Sequence, residues 1–280
     1  MKVLVTGAAG QVGREVVEAA AAGAHEVVGL DHAALDVTDA AAVREAVRAV
    51  APGAIVNCAA FAAVDRCETE PDVAFAVNAD AVRHLARAAD EVGAYLVHIS
   101  TDYVFDGRKP DPYVETDTPN PLSVYGRSKL AGEQALDPER AAIVRASWIC
   151  GRYGANMVKT ILRLAGEHEK LSFVSDQRGH PTIAADLARM LWWFVEERPA
   201  GVWHVTNQGA VSWYEFAQEV LRANGDDPAR VLPITTEELQ PPRPAPRPAN
   251  SVLRNQRLIE AGVELLPDFR ESLAILVRSL

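Results

Sequence analysis

The first thirteen residues constrain this chain more than any other stretch. Val3-Leu4-Val5-Thr6 is a short apolar run, and Gly7-Ala8-Ala9-Gly10-Gln11-Val12-Gly13 follows it without a break. A strand that runs into glycines at this spacing, and then into helix-compatible sequence, predicts a strand–turn–helix unit. Gly7 permits the tight turn, Gly10 lets backbone amides approach a pyrophosphate, and Gly13 allows close packing of helix on strand. The first N–H groups of such a helix are unpaired and carry partial positive charge toward that pyrophosphate. A glycine turn alone also occurs without any ligand. What gives weight to this one is its place at the head of a long strand–helix series.

In that series further strands are expected at 26–30, 54–57, 95–99 and 142–145. Helices are expected at 11–22, at 39–50 with Thr38 or Asp39 as the cap, and at 71–92, where Pro71 starts the helix and Gly93 ends it. The strands are near-continuous apolar runs, as burial on both faces requires. Strands alternating with helices make right-handed crossovers and a parallel sheet. The expected class is α/β, a Rossmann-type doubly wound parallel sheet, with residues 1–150 as an NAD(P)-binding domain. Beyond Cys150 the rhythm changes, with helices expected at 155–167, 183–197 and 213–224 and short strands at 171–174 and 202–205. The run from Gln240 to Pro248 holds five of the 17 prolines and reads as a stiff surface loop. Residues 151–280 are therefore expected to form a smaller α/β substrate-binding lobe, partly interleaved with the first domain.

Composition narrows the class. The chain has 280 residues, 49% hydrophobic and 24% charged, which suits one or two globular domains. Its 38 acidic against 28 basic residues give a net charge of −10, which argues against a nucleic-acid partner. No apolar stretch approaches the roughly 20 residues needed to span a bilayer. The glycine turn also comes too early for a secretory signal. Cys58, Cys67 and Cys150 form no Cys-x-x-Cys pair and read as reduced thiols of a cytoplasmic protein.

Asp31 closes the second strand, where an acidic side chain accepts hydrogen bonds from the adenosine ribose hydroxyls. Such a carboxylate would repel the extra phosphate of NADP, so NADH is favoured over NADPH. The same side chain could simply cap a turn, and His32 and Arg14 leave room for use of both cofactors. Asp36 and Val37 come next and could border the adenine. Farther on, Tyr125-Gly126-Arg127-Ser128-Lys129 places a phenol and an amine four residues apart, on one face of a helix. A phenol with a pKa near 10 is a poor acid–base group unless a cation lowers it. An ammonium about 4 Å away contributes on the order of 4 kcal/mol at an effective dielectric of about 20. That is at most about three pKa units, so Lys129 is expected to lower Tyr125. The pair alone is weak. Its strength comes from Ser100-Thr101-Asp102 at the carboxyl end of the fourth strand, where a hydroxyl could share a substrate oxygen with Tyr125.

Several blocks carry a wider resemblance: Gln11-Val12-Gly13-Arg14-Glu15 after the glycine turn, Leu35-Asp36-Val37-Thr38-Asp39, Val56-Asn57-Cys58-Ala59-Ala60, Ala63-Val64-Asp65 and Val77-Asn78-Ala79. Ser100-Thr101-Asp102-Tyr103-Val104-Phe105-Asp106-Gly107 follows, then 119–133, Arg145-Ala146-Ser147-Trp148, 175–182 and Arg247-Pro248-Ala249-Asn250-Ser251. With these the chain resembles, over essentially its whole length, the extended short-chain dehydrogenase/reductase family, and within it the dTDP-4-dehydrorhamnose reductases. The resemblance implies reduction of the 4-keto group of a dTDP-4-dehydro-6-deoxysugar, dTDP-4-dehydrorhamnose to dTDP-L-rhamnose, with NADH or NADPH. It implies that Tyr125 is the proton donor, that Lys129 holds the nicotinamide ribose and that Thr101 contacts the ketone. Asp102 and Trp148 match positions that contact the nucleotide sugar. Gly10, Gln11, Val12, Asp31, Asp36, Val37, Ala60, Phe61 and Ala62 match the cofactor path, and Asn78 faces the same crevice.

Phe61 and Ala62 stand where the family commonly has a polar residue and a threonine, which leaves a different deoxysugar open. Glu15 matches a position that some members use for magnesium at a dimer interface. A lone Glu in a first helical turn more often offsets the helix dipole, so no metal is assigned and a homodimer stays an option. Two other readings remain. A nucleotide-sugar dehydratase would use the same Tyr and Lys, but Tyr103 stands where that family has a catalytic glutamate. A regulatory subunit resembling that of methionine adenosyltransferase shares the fold and binds NADP; the intact Thr101, Asp102, Tyr125, Lys129 and Trp148 favour chemistry. His98 reads as a core residue, His180 could reach substrate, and Trp192-Trp193-Phe194 reads as core or dimer packing. Trp148 is the stacking candidate. Arg178, Arg243 and Arg247 are either diphosphate partners or solvated charge. With phosphate-bearing ligands and an acidic chain, the crevice is expected to be locally positive.

Overall fold

The opening strand and helix form where the sequence places them, and the rest of the architecture grows from that unit. The computed structural model describes residues 1–20 and 25–280. Its first half runs β1 (Lys2–Thr6), α1 (Gln11–Ala19), β2 (Glu26–Leu30), α2 (Ala40–Val50), β3 (Ala54–Asn57), α3 (Val64–Thr69), α4 (Pro71–Phe75), α5 (Ala81–Val92), β4 (Tyr95–Thr101), α6 (Val124–Glu133), β5 (Ala141–Ala146) and β6 (Ile149–Cys150). The second half runs α7 (Met157–Glu167), β7 (Leu171–Val174), β8 (Arg178–Gly179), β9 (Thr182–Ile183), α8 (Ala184–Glu197), β10 (Gly201–His204), β11 (Val211–Ser212), α9 (Trp213–Asn224), β12 (Val231–Ile234), α10 (Gln256–Glu260) and α11 (Phe269–Arg278). The part of the first expected helix at 21–24 lies outside the described residues. Asp39 is the cap of α2, its carboxylate accepting from the Ala41 and Ala42 amides, and Gly93 ends α5 with φ +69°.

Six strands form one parallel sheet in the order β10-β5-β4-β3-β1-β2. Its central strands bury both faces, as the unbroken apolar runs require: Val3, Leu4 and Val5 are all fully buried. Val3 and Val5 pack with Val12, Val16, Leu187, Leu191 and Phe194 of α1 and α8. Leu4 packs on the opposite face with Val43, Val47 and Leu85 of α2 and α5. The alternation follows from the two-residue period of a strand. β2 is the exposed exception, because it is an edge.

The sheet does not end at residue 150. β10 adds its sixth strand beside β5, and α8 covers the same face as α1, where the Trp192 indole N–H donates to the Val16 carbonyl at 3.0 Å. A second core joins α7, α9 and α11 through Val158, Ile161, Phe216, Leu221, Phe269 and Leu273. The proline-rich run from Gln240 to Pro248 contains no helix or strand. The long helix expected at 71–92 forms with those bounds, but its hydrogen bonding widens: α4 passes into a π-helical segment at Ala76–Asp80 before α5 continues it. Such a wide turn re-aims side chains locally, and here it turns Asn78 inward. Among the described residues, no helix is long and apolar enough to cross a membrane.

Candidate active site

A cavity of about 440 Å³ opens at the carboxyl ends of β1, β3 and β4, where open α/β sheets take their ligands. The glycine turn forms its floor. Gly7 has φ +65°, and a Cβ on it would lie 2.7 Å from the Ala59 nitrogen. A Cβ on Gly13 would lie 2.2 Å from the Gly7 carbonyl oxygen, so any side chain there drives α1 off the loop. No side chain caps α1 at Gly10, and its first turn carries no acidic residue. Those first amides and the glycine floor fit a dinucleotide pyrophosphate. The Gln11 amide donates to the Ile149 carbonyl at 3.0 Å and accepts from Asn156 at 2.8 Å, tying this turn to the segment between β6 and α7.

α6 brings Tyr125 and Lys129 to the cavity, and two glycines seat it. A Cβ on Gly126 would stand 2.2 Å from the Tyr103 carbonyl oxygen, and one on Gly132 would stand 2.1 Å from that of Asn78. The helix therefore lies backbone to backbone against the end of β4 and against the π-helical segment. Asn78 completes the seat. Its amide accepts from the Phe61 N–H at 2.9 Å and donates to the Phe61 carbonyl at 3.1 Å and to Ser128 Oγ at 3.0 Å. Glu133, one turn beyond Lys129, accepts from the Arg145 guanidinium at 2.9 and 2.7 Å in a buried fork. It also accepts from Ser100 Oγ at 2.5 Å. The Ser100 hydroxyl is thus committed to the helix anchor. Thr101 Oγ1 donates to Asp102 Oδ1 at 3.0 Å and accepts from the Tyr103 amide at 3.2 Å.

Burial dominates the electrostatics here. It pushes the Tyr125 phenol up, against the opposing hydrogen bond from Thr101. The expected lowering of Tyr125 by Lys129 is not found. The Lys129 ammonium, 2% exposed, instead donates to the Ile99 carbonyl at 2.7 Å and lies 3.4 Å from His98 Nε2. Burial brings Lys129 down to about 8, with the Glu133 carboxylate pulling the other way. Burial also raises Asp102 to about 6, against the pull of the Ser251 and Thr101 hydroxyls; its Oδ2 makes no hydrogen bond of good geometry. The charged side chains that line the cavity are Asp102 and Lys129, one of each sign. The crevice is therefore not made positive by arginines, and its positive elements are the Lys129 ammonium and the end of α1.

The cavity gathers Gly10, Gln11, Val12, Ala60, Ala62, Thr101, Asp102, Tyr125, Lys129 and Trp148. Gly7 and Gly13 shape its floor from beneath. Phe61 leaves the lining and packs with Cys67, Ala74, Val124 and Tyr125, because that apolar cluster is the better place for a phenyl ring. Asp31 Oδ1 caps a turn, accepting from the Ala33 and Ala34 amides at 3.1 and 3.0 Å. Asp36 likewise caps the turn at Thr38, and Val37 is buried beside it. These three lie beyond the cavity wall, along the edge of β2.

Some expectations are corrected by neighbouring charges and packing. Arg247 forks onto Asp65 at 3.0 Å through each nitrogen, Arg243 lies 3.6 Å from the same carboxylate, and Arg178 pairs with Glu215 at 3.2 Å. None of the three lines the cavity, and neither does His180. Trp148 has φ +44°, and its ring stacks on Trp213 with centroids 3.6 Å apart. The aromatic wall is therefore a pair. Trp213 was not singled out from the sequence, although an aromatic directly after the N-cap Ser212, inside the capping box that Ser212 forms with Glu215, was a readable signal. Glu15 is buried within 3.9 Å of the Arg152 guanidinium.

The family described as RmlD substrate binding domain matches residues 1–280. A dTDP-4-dehydrorhamnose reductase of Streptomyces griseus is 44% identical over 278 residues, covering 96% of this chain and 91% of that protein. A Streptomyces antibioticus protein named "Probable dTDP-4,6-dihydroxy-2-methyloxan-3-one 4-ketoreductase" is 43% identical, covering 98% of this chain and 93% of its own. The crystal structure of dTDP-4-dehydrorhamnose reductase from Bacillus anthracis in complex with NADP superposes with a TM-score of 0.95 at 38% identity. It covers 100% of this chain and 99% of that one. A family match over the whole chain, joined to a crevice that unites the glycine turn with Thr101, Tyr125 and Lys129, places this chain in the family of the dTDP-4-dehydrorhamnose reductases.

Proposed function

We propose that this chain reduces the 4-keto group of dTDP-4-dehydrorhamnose to give dTDP-L-rhamnose, with NADH or NADPH as reductant. The observation that carries the reading is the single cavity shared by the uncapped end of α1, Thr101 and Asp102 at the end of β4, and Tyr125 and Lys129 on α6. The reduced nicotinamide, when bound, supplies the hydride. Tyr125 is a neutral phenol at physiological pH because burial holds its proton, which is the form a proton donor needs. It gives that proton to the ketone oxygen. Thr101 would hold the same oxygen by turning its hydroxyl proton from Asp102 to it, and Lys129 would hold the cofactor ribose. Asp102, with one oxygen unpartnered, accepts from sugar hydroxyls, and the Trp148–Trp213 pair closes the far wall.

Asp31 supports a preference for NADH: Oδ1 is used by the turn, which fixes the carboxylate at the edge of β2. Arg14 lies with its guanidinium over the Tyr153 ring at 5.2 Å, where that stacking occupies it. The free thiols of Cys58, Cys67 and Cys150 support a cytoplasmic enzyme. A second reading, another dTDP-linked 4-keto-6-deoxysugar, draws on Ala62, a methyl-bearing wall residue where the resemblance leads one to expect a hydroxyl. The test is NAD(P)H oxidation with the enzymatically generated dTDP-4-keto sugar, followed by NMR of the product. Oxidation with the L-rhamno configuration at C4 supports the first reading, the opposite C4 configuration supports the second, and no oxidation with either cofactor overturns both.

A further inference from the structure

A chain of hydrogen bonds behind the cavity decides the protonation pattern of a buried histidine. Asn57 Oδ1 accepts from the Ala59 backbone N–H at 3.1 Å and from Thr6 Oγ1 at 2.7 Å. A backbone N–H can only donate, so the orientation of the Asn57 amide is settled. Its Nδ2 then faces His98 Nδ1 at 3.0 Å, and an amide nitrogen can only donate as well. His98 Nδ1 must therefore be the acceptor. His98 is fully buried, and burial with the nearby Lys129 holds it neutral, so its one proton sits on Nε2. That Nε2–H points at Lys129 Nζ across 3.4 Å. An ammonium offers only donors to it, whereas a neutral amine offers a lone pair.

We propose that His98 is a positioning residue for Lys129: Asn57 locks the imidazole as its Nε2–H tautomer, and that N–H loosens the proton held by the amine. The inference rests on the reading of Lys129 as the partner of Tyr125. When the Tyr125 phenol gives its proton to the ketone oxygen, a phenolate remains. The other groups facing Lys129 are Glu133 on its own helix, the Ile99 carbonyl on β4, and the Cys58 thiol after β3. Glu133 pulls toward the ammonium but is itself forked by Arg145 of β5. Burial pushes the thiol up to about 12, so Cys58 is neutral at physiological pH.

The full-length protein without cofactor supplies the test. In ¹⁵N-histidine-labelled protein, long-range ¹⁵N–¹H correlation should show His98 with a bare Nδ1 and a protonated Nε2 at neutral pH. Asn57→Asp replaces the donor by a carboxylate oxygen and should move the proton to Nδ1. In ¹³C-lysine-labelled protein, Lys129 is one of five lysines and is assigned by its loss in Lys129→Arg. Its titration midpoint should rise in His98→Leu by on the order of one pH unit. A wild-type His98 protonated on Nδ1, or a Lys129 midpoint unmoved by His98→Leu, overturns the inference. The wild-type tautomer needs no variant, so misfolding of a mutant does not rescue the idea. Failure of ketone reduction in the wild type would instead sink the functional reading and leave the tautomer result standing.

Discussion

Asp102→Asn should make the protein more stable and a poorer catalyst. The carboxyl is 1% exposed, one oxygen accepts from Thr101, and the other has no partner. Burial raises its pKa from 3.8 to about 6. A carboxyl whose folded pKa lies above its unfolded value costs nothing at low pH, where both states are protonated. The cost grows as pH rises past the unfolded value and is complete above the folded one. About two pKa units at roughly 1.36 kcal/mol each amount to about 3 kcal/mol at neutral pH. An asparagine removes that cost but buries an unpartnered amide N–H, worth about 1 kcal/mol or more. The net gain should be about 2 kcal/mol near pH 7.5, on the order of 4 °C in Tm for a chain of this length. Denaturant unfolding of both proteins at about pH 7.5 and about pH 5 measures it, and the advantage should shrink by about 1 kcal/mol at the lower pH. An advantage that does not change with pH, or a variant less stable at pH 7.5, would refute the assignment of the cost to a buried charge. On the proposed role of Asp102 in accepting from sugar hydroxyls, KM for the sugar nucleotide should rise in the same variant.

Tyr125→Phe should lower ketone reduction by about 10²–10⁴-fold or more while cofactor affinity, read by fluorescence titration, stays nearly unchanged. Wild-type turnover in that variant would remove Tyr125 from the chemistry. Asp31→Ala should weaken NADH relative to NADPH by on the order of tenfold in KM, the worth of one charge-assisted hydrogen bond; an unchanged ratio would count against a ribose contact. Glu133→Gln strands the buried Arg145, one of whose nitrogens already lacks a partner, and should cost about 3–5 kcal/mol in unfolding experiments. The double variant Glu133→Met with Arg145→Met should recover most of that loss, and no recovery would mean that the pair is not the source of the cost.

The layering of the fold was legible because each element carries its own local signal. The apolar run at Val3–Thr6 can bury both faces, Asp39 offers a cap where α2 starts, and Gly93 stops α5 in the left-handed conformation. The π-helical widening at Ala76–Asp80 was not legible. Val77, Asn78 and Asp80 are weaker helix formers than alanine, but propensity does not tell an α turn from a π turn, and here the backbone of α6 lies against Asn78 through Gly132. The site was legible where one residue type does one job, as with Tyr125, Lys129 and the glycines. It was hidden where partners come from distant segments. Ser100 and Thr101 both offered a hydroxyl in sequence, and only the fold shows Glu133 taking that of Ser100; Arg247 was open between phosphate partner and solvated charge, and Asp65, far away in sequence, takes its fork. Nor could spacing show that the ammonium of Lys129 turns to the Ile99 carbonyl and His98.

The placement of β10 beside β5 bears on how the chain is made. A ribosome has released the first five strands of the sheet well before residues 201–204 emerge. Until then β5, whose six residues Ala141–Ala146 are all buried in the finished molecule, presents an uncovered apolar edge, and the α1 face waits for α8. Such an edge is a template for pairing with other chains. Native assembly is therefore a late event in synthesis. A nascent chain stalled near residue 150 should be a client for chaperones that hold exposed strands, and a fragment cut there should aggregate where the whole protein does not.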